Sequence, residues 1–455
     1  MRLPDKKMPL FSLDDCNFNS CFFGICMNIF KHKIMMTIVI AVCASIMPQL
    51  FFKNGFLLSY LLKLGFLSSD VLILLSLPSG IMFFLSIPFA YYADRYGKKK
   101  IGISGIVLTA IGFSLIIVAG FFDHQMSGKF IVAGIALFSI GLSALLSGWF
   151  ALLSPLIPEA IRGSFFGTLR VSWQIFAIGC SFVLTFILGK NTSLGTYQLI
   201  LVFFTGLLFV QIYLYSKIPE IEKSNPKKES IGKIAATIPA IPGYLPFCAY
   251  CFLLMLATGA WPVTLGLLEK NVLSFTDDTI VHMGTMLFSG AMVGFYVGGK
   301  MVDKFGTKMV FLVVHFSYFL FLFIVLLRDL APVSQVLYFS LITFVLGLIQ
   351  AASSIAIVSE MMALAPAKNK SVIISFCVSL QVGGAGISGL LSGKLIEYGI
   401  LAESWHFMKL TLSHYDTLIL FSSIMVFVLI ITLWLIPSVA ETKKAQWGPH
   451  SSKTL

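Results

Sequence analysis

Charged and amide side chains are scarce inside the long apolar stretches of this chain, so the few present are where chemistry could be done. Lys53 lies about 28 Å along a helix that would start at residue 34. With Gln49 and Asn54 beside it, it could attract an anionic or polyol substrate. The alternative is a lysine that snorkels to the interface or bonds carbonyls beside Gly55. Arg170, about 10 Å from one end of its run, reads as a cavity cation or as a partner for lipid phosphate or a loop carboxylate such as Glu159. Trp149, Trp173 and Trp261 offer aromatic faces that, with amides, suit a sugar or a nucleoside-like ring; packing is the competing reading. Gln174, Gln350 and Gln381 are stronger candidates, because an amide in lipid needs a partner. His282 and His315 read as packing or interface residues.

The absences also carry information. All 20 acids are placed in loops, tails or helix ends, with Glu360 the nearest to a span interior. A proton symporter usually needs a buried titratable group, so the expectation is facilitated diffusion, exchange, or coupling by another route. The spans contain no Ser/His/Asp set, paired carboxylates or His-x-x-x-His spacing, and there is no phosphate loop, which argues against a membrane-embedded enzyme. Nor is there a charged ring or filter sequence, which argues against a channel. The 8 Cys have no metal-ligand spacing and read as small buried hydrophobes. Neither cofactor nor metal is expected.

The elements that position these residues follow from composition. Of 455 residues, 58% are hydrophobic and 11% charged, against about 25% charged in a soluble domain; mean hydropathy is +0.93. Lipid must be the solvent for most of this surface. Apolar runs of spanning length fall near 34–62, 70–92, 101–122, 129–153, 164–188, 196–216, 242–268, 279–299, 309–327, 332–359, 371–393 and 416–436, which makes twelve. With the N-terminus inside, 23 Lys and Arg fall on the inner side and 7 on the outer, so both termini are expected in the cytoplasm, in a cell (inner or plasma) membrane. The net charge of +12 is thus a matter of orientation and not of nucleic-acid binding. Residues 1–33 show no cleavage pattern and read as a cytoplasmic lead-in, with a possible interfacial helix around Phe22 to Phe30. A charged linker at 217–241 separates bundles at 34–216 and 242–436, and 437–455 is a cytoplasmic tail.

The two halves echo each other. Ala90-Tyr91-Tyr92-Ala93-Asp94-Arg95-Tyr96-Gly97-Lys98-Lys99 follows the second span, and Gly299-Lys300-Met301-Val302-Asp303-Lys304-Phe305-Gly306-Thr307-Lys308 follows the eighth. Acid, base, aromatic and glycine recur in order. Ser172-Trp173-Gln174 and Ser379-Leu380-Gln381 repeat at nearly the same offset. A duplicated six-span unit accounts for both. In each loop the glycine allows a tight reversal, and the acid can pair with a base or with helix-terminal donors, a contact able to hold one conformation closed. Asp94, Arg95, Gly97, Lys98, Asp303, Lys304 and Gly306 are therefore gating candidates; for the lysines, simple topology signals are the competing reading.

These loops resemble the Gly-x-x-x-Asp-Arg/Lys-x-Gly-Arg/Lys-Arg/Lys signature of the major facilitator superfamily, with Ala90 replacing the leading Gly of the first copy and Thr307 a base of the second. Pro158-Glu159-Ala160-Ile161-Arg162-Gly163 resembles its Pro-Glu-x-x-Arg-Gly loop, which adds Glu159 and Arg162 to the gating set. The resemblance implies an all-α integral membrane protein: twelve helices in two pseudo-symmetric six-helix bundles, moving a small polar solute (sugar, nucleoside or organic anion) by alternating access. It implies a small-molecule substrate, with or without a coupling ion, and a monomer in the bilayer. The fourth span departs from many proton-driven members in lacking a central Arg.

Overall fold

A computed structural model describes residues 33–157, 162–221, 231–366, 370–407 and 410–435. The apolar runs fold as helices because a backbone in lipid must satisfy its own hydrogen bonds. The first half comprises α1 (Lys33–Leu50), α2 (Phe56–Lys63), α3 (Ser68–Tyr96), α4 (Lys98–Ala119), α5 (His124–Leu153), α6 (Arg162–Ile187) and α7 (Leu194–Lys217). A short α8 (Ile231–Ala235) precedes the second half: α9 (Tyr244–Thr258), α10 (Trp261–Asn271), α11 (Asp277–Leu326), α12 (Gln335–Leu364), α13 (Lys370–Glu397) and α14 (His414–Leu435).

Three of these differ from the simple pattern of twelve rods. The first crossing is discontinuous: α1 ends at Leu50, and the chain turns through Phe51–Gly55, where Gly55 has φ +77°, before α2 resumes. The seventh is broken between α9 and α10, at Gly259 and Ala260. The 50-residue α11 would be about 75 Å long if straight, over twice the hydrocarbon thickness. It reverses at Gly306 (φ +79°, ψ 166°) and so supplies the eighth and ninth crossings. Exposed Phe186, Leu199, Phe203, Phe209, Phe316 and Phe421 give the outer surface an apolar face suited to lipid.

One short element of the bundle is not helical. An antiparallel hairpin, β1 (Ser404–Phe407) with β2 (Leu410–Ser413), joins α13 to α14, pairing Ser404 with Ser413. It is anchored from both sides. Arg328 is bidentate to Asp416, which also accepts from the Ser413 backbone N–H at 2.8 Å, and Trp405 Nε1 donates to Thr417 Oγ1 at 2.8 Å. Arg328 and Asp416 are both buried, so each charge is satisfied by the other.

The halves meet along two seams, α3 with α13 and α6 with α11. In the first seam a Cβ on Gly386 would lie 2.6 Å from Gly80 N, one on Gly389 2.5 Å from Ser76 Cβ, and one on Gly393 2.8 Å from the Ser69 carbonyl. Small residues let the two backbones approach where lipid gives no hydrophobic drive between helices. These contacts run from Phe83 and Gly383 toward the end of the molecule that carries Ser68 and Asn271, away from the Asp94 and Asp303 loops. At the Asn271 end, Asn271 Nδ2 donates to Ser68 Oγ at 2.8 Å, and Lys63 lies 3.9 Å from Asp277, each joining one half to the other.

Candidate functional site

The two broken helices face each other across the halves, and a cleft lies between them. From the first half come Lys53, Asn54 and Gly55, in the turn that interrupts the first crossing. α10 contributes Pro262, Leu265, Gly266 and Glu269, the i, i+3, i+4, i+7 face of one helix. α11 presents Ile280, Met283, Gly284 and Leu287 with the same spacing, and α12 adds Thr343 and Leu346. The wall is mostly apolar with a few convergent polar groups, the usual make-up of a small-molecule site.

The polar groups differ in how far they are already engaged. Asn54 is buried, donates through Nδ2 to Ser181 Oγ at 3.4 Å, and accepts the Phe56 N–H at 3.1 Å. Its amide caps the restarted helix and has little left for a ligand. Lys53 lines the cleft and is exposed, whereas its neighbours Phe52 and Asn54 are buried. Glu269 is 2% exposed, and among the described residues its one side-chain hydrogen bond is from the Thr343 hydroxyl at 3.4 Å. Next to it in sequence, Lys270 is held by Asp277 at 2.5 Å.

Glu269 revises the expectation that no acid lies deep. It sits two residues from the end of α10, as a helix-end acid, yet the break at Gly259–Ala260 and the closure at Asn271 bury it between the halves. A signal was available: Pro262 stands 209 residues after Lys53, the offset of the repeated loops, and Glu269 follows Pro262 by two helical turns. Paired Gly- or Pro-interrupted spans at matching positions are the sequence mark of a transporter site.

The other candidates separate into three groups. Gln174 and Arg170 bridge the halves: Gln174 Nε2 donates to the Phe288 carbonyl at 2.6 Å, and the Arg170 guanidinium lies 4.4 Å from the centre of the Phe295 ring. Trp149 stacks on Tyr215 and Trp261 on Phe321, each within its own half, as packing residues. Gln381 donates to Cys377 Sγ at 3.5 Å, Gln49 to the Ser45 carbonyl at 3.4 Å, and Gln350 and Trp173 are half-buried; none of these four lines the cleft. His315 is buried against Tyr250, with 3.2 Å between Nε2 and the hydroxyl.

In the repeated loops, Gly97 (φ +112°) ends α3 and starts α4. The acid on the first turn of α4 is Glu220, beyond α7, which accepts the Lys98 N–H at 2.7 Å and the Lys99 N–H at 3.4 Å. Sequence reading missed it, because it comes from the far end of the same half. In the second copy Thr307 donates to Glu360 at 2.6 Å. Asp94 is half-buried, and Asp303, Arg95 and Lys304 are exposed. Arg95 lies 5.6 Å from the Tyr96 ring centre and Lys304 5.1 Å from that of Phe305. Glu159 lies outside the described residues, and Arg162 begins α6. Among the described residues, no group of three or more His, Cys, Asp or Glu is placed to hold a metal ion.

Comparison with known proteins follows the same line. The family model of the Major Facilitator Superfamily matches residues 22–389, and the chain belongs to that superfamily. It is a multi-pass membrane protein that transports solutes by alternating access. Among solved structures, the nucleoside transporter NupG superposes with TM-score 0.62 at 15% identity, covering 90% of this chain and 99% of that one. A D-xylose-proton symporter gives 0.65 at 14% identity, covering 89% and 98%. A POT family transporter in complex with 5-aminolevulinic acid gives 0.68 at 13% identity, covering 90% and 96%. At such identities these likenesses describe the fold. No curated protein matches the chain in sequence.

Proposed function

We propose that the cleft around Lys53 is the substrate site and that the solute it carries is small, polar and bears an anionic group. One observation carries this reading: the interruptions of the first and seventh crossings bring Lys53 to a mostly apolar cleft between the halves. A charged side chain within a membrane is costly and is kept for a function. The halves at 34–216 and 242–436, joined by the 217–241 linker, rock about this site. The Asn271 end is sealed by Asn271, Ser68, Lys63 and Asp277, so access in this conformation is from the Asp94 end. The excess of Lys and Arg on that side makes it the cytoplasmic one, with both termini there, in the cell (inner or plasma) membrane. The protein works as a monomer, without a cofactor. Gln174 and Arg170 hold the halves in register through Phe288 and Phe295.

The test is uptake into proteoliposomes across sugars, nucleosides, sugar phosphates and organic anions, with wild type beside Lys53→Gln. Anion-bearing solutes should be taken up, and the variant should lose that uptake by at least about tenfold while still inserting. Unchanged kinetics in Lys53→Gln would remove the assignment. Single-channel conductance in place of saturable uptake would refute alternating access.

A further inference from the structure

We propose that the cleft selects a small zwitterion, with the anionic group of the solute on the Lys53 ammonium and its cationic group on the Glu269 carboxylate. This rests on the cleft being the substrate site and names the chemistry of its substrate. Four polar side chains face the cleft, and two are committed: Asn54 to Ser181 and the Phe56 N–H, and Thr343 to Glu269. The remaining two are a base and an acid, able to take up opposite charges when a ligand brings the matching groups. Among the described residues neither has an ion-pair partner, and Lys270, next to Glu269 in sequence, is engaged with Asp277.

Lys53 and Glu269 do not satisfy each other, being more than a salt-bridge distance apart on the walls of one cleft. A buried carboxylate with one long hydroxyl contact is a group in want of a cation. A simple anion would meet Lys53 and be repelled by Glu269. A neutral polyol would leave both charges unneutralised. A molecule with an ammonium and a carboxylate a few bonds apart answers both. The two charges also come from opposite halves, so a bound zwitterion bridges them. Its affinity then differs between the conformation that brings Lys53 and Glu269 together and the one that parts them, which is the differential binding alternating access requires.

The experiment uses the purified full chain and measures its thermal shift and ligand affinity. The probes are free α-, β- and γ-amino acids, the same compounds N-acetylated (anion only), the same compounds as amides (cation only), and neutral sugars and nucleosides. At least one free amino acid should stabilise the protein, and its N-acetyl and amide forms should bind at least about tenfold more weakly. Glu269→Gln should lose the free amino acid while narrowing the gap to the N-acetyl form, and Lys53→Gln should narrow the gap to the amide. Glu269→Asp should keep the preference, which separates charge recognition from a folding defect; monodispersity on size exclusion checks the fold of each variant. Equal or tighter binding of N-acetyl or neutral compounds that still depends on Lys53 would overturn the zwitterion while sparing the cleft. A ligand whose affinity neither variant changes would overturn the cleft itself. Silence of every amino acid in the wild type would also overturn the zwitterion.

Discussion

The seam between α3 and α13 offers a clean test of the transport cycle. In Gly389→Ala the new methyl would sit 2.5 Å from Ser76 Cβ and 2.8 Å from Ser76 Oγ. Carbon atoms rest at about 3.5–4.0 Å, so the two helices must part locally by about 1–1.5 Å. Inserting a methyl into a packed interface costs about 1–3 kcal/mol. The strain exists only while the Asn271 end is closed, because opening that end separates the two surfaces. The helix-propensity gain of Ala over Gly, about 1 kcal/mol, applies in both states and cancels. The open-to-closed ratio at that end should therefore rise by about fivefold to 150-fold. The readout is labelling of Ser69→Cys, in a background without the 8 native cysteines, by a membrane-impermeant maleimide added on the Asn271 side. Ser69 is 4% exposed in the closed seam, so its labelling rate follows the open fraction. Gly179→Ala, where an added Cβ meets nothing within 4 Å, is the control and should label at the parent rate. Equal rates for Gly389→Ala and the control would mean that this seam does not open during transport.

Three further outcomes follow from the same geometry. Asp277→Asn removes the carboxylate that links Lys270 and Lys63 across the halves; because Lys63 is partly exposed the link is worth at most about 1 kcal/mol, and Ser69→Cys labelling should rise by no more than about fivefold. Arg328→Met leaves Asp416 buried and unpaired and should cost about 3–5 kcal/mol, read as a marked fall in Tm, whereas Arg328→Met with Asp416→Leu should recover much of it; equal losses would show that the pair is not what holds the hairpin. Asp94→Asn should slow exchange between conformations more than it changes affinity, and Glu220→Gln, which weakens the acid on the first turn of α4, should lower turnover in the same direction; wild-type turnover in both would exclude this loop from gating.

Much of the architecture was legible from the sequence alone. Lipid imposes a one-dimensional rule, about 20 apolar residues per crossing, so composition and run length suffice to find the spans. The paired loops around Asp94 and Asp303 revealed the duplication, since a repeat is a property of order and not of contact. Lys53 could be singled out because its charge is out of place in its run. Its neighbours could not. Glu269 is an ordinary helix-end acid in the sequence; only the packing of α10 against the opposite half buries it beside Thr343 and turns it toward the cleft that Lys53 lines. Glu220 reaches the α4 N-terminus from more than a hundred residues away, and the ring partners of Trp149 and Trp261, Tyr215 and Phe321, are visible only in the folded chain. The hairpin at Ser404–Ser413 is held by Arg328 from another crossing. Sequence by itself thus determined that the chain crosses the bilayer repeatedly in two related halves, because the solvent acts on each residue independently. Which charges share a cleft, and which end is shut, only the tertiary structure decided, because those depend on distances between segments far apart in the chain.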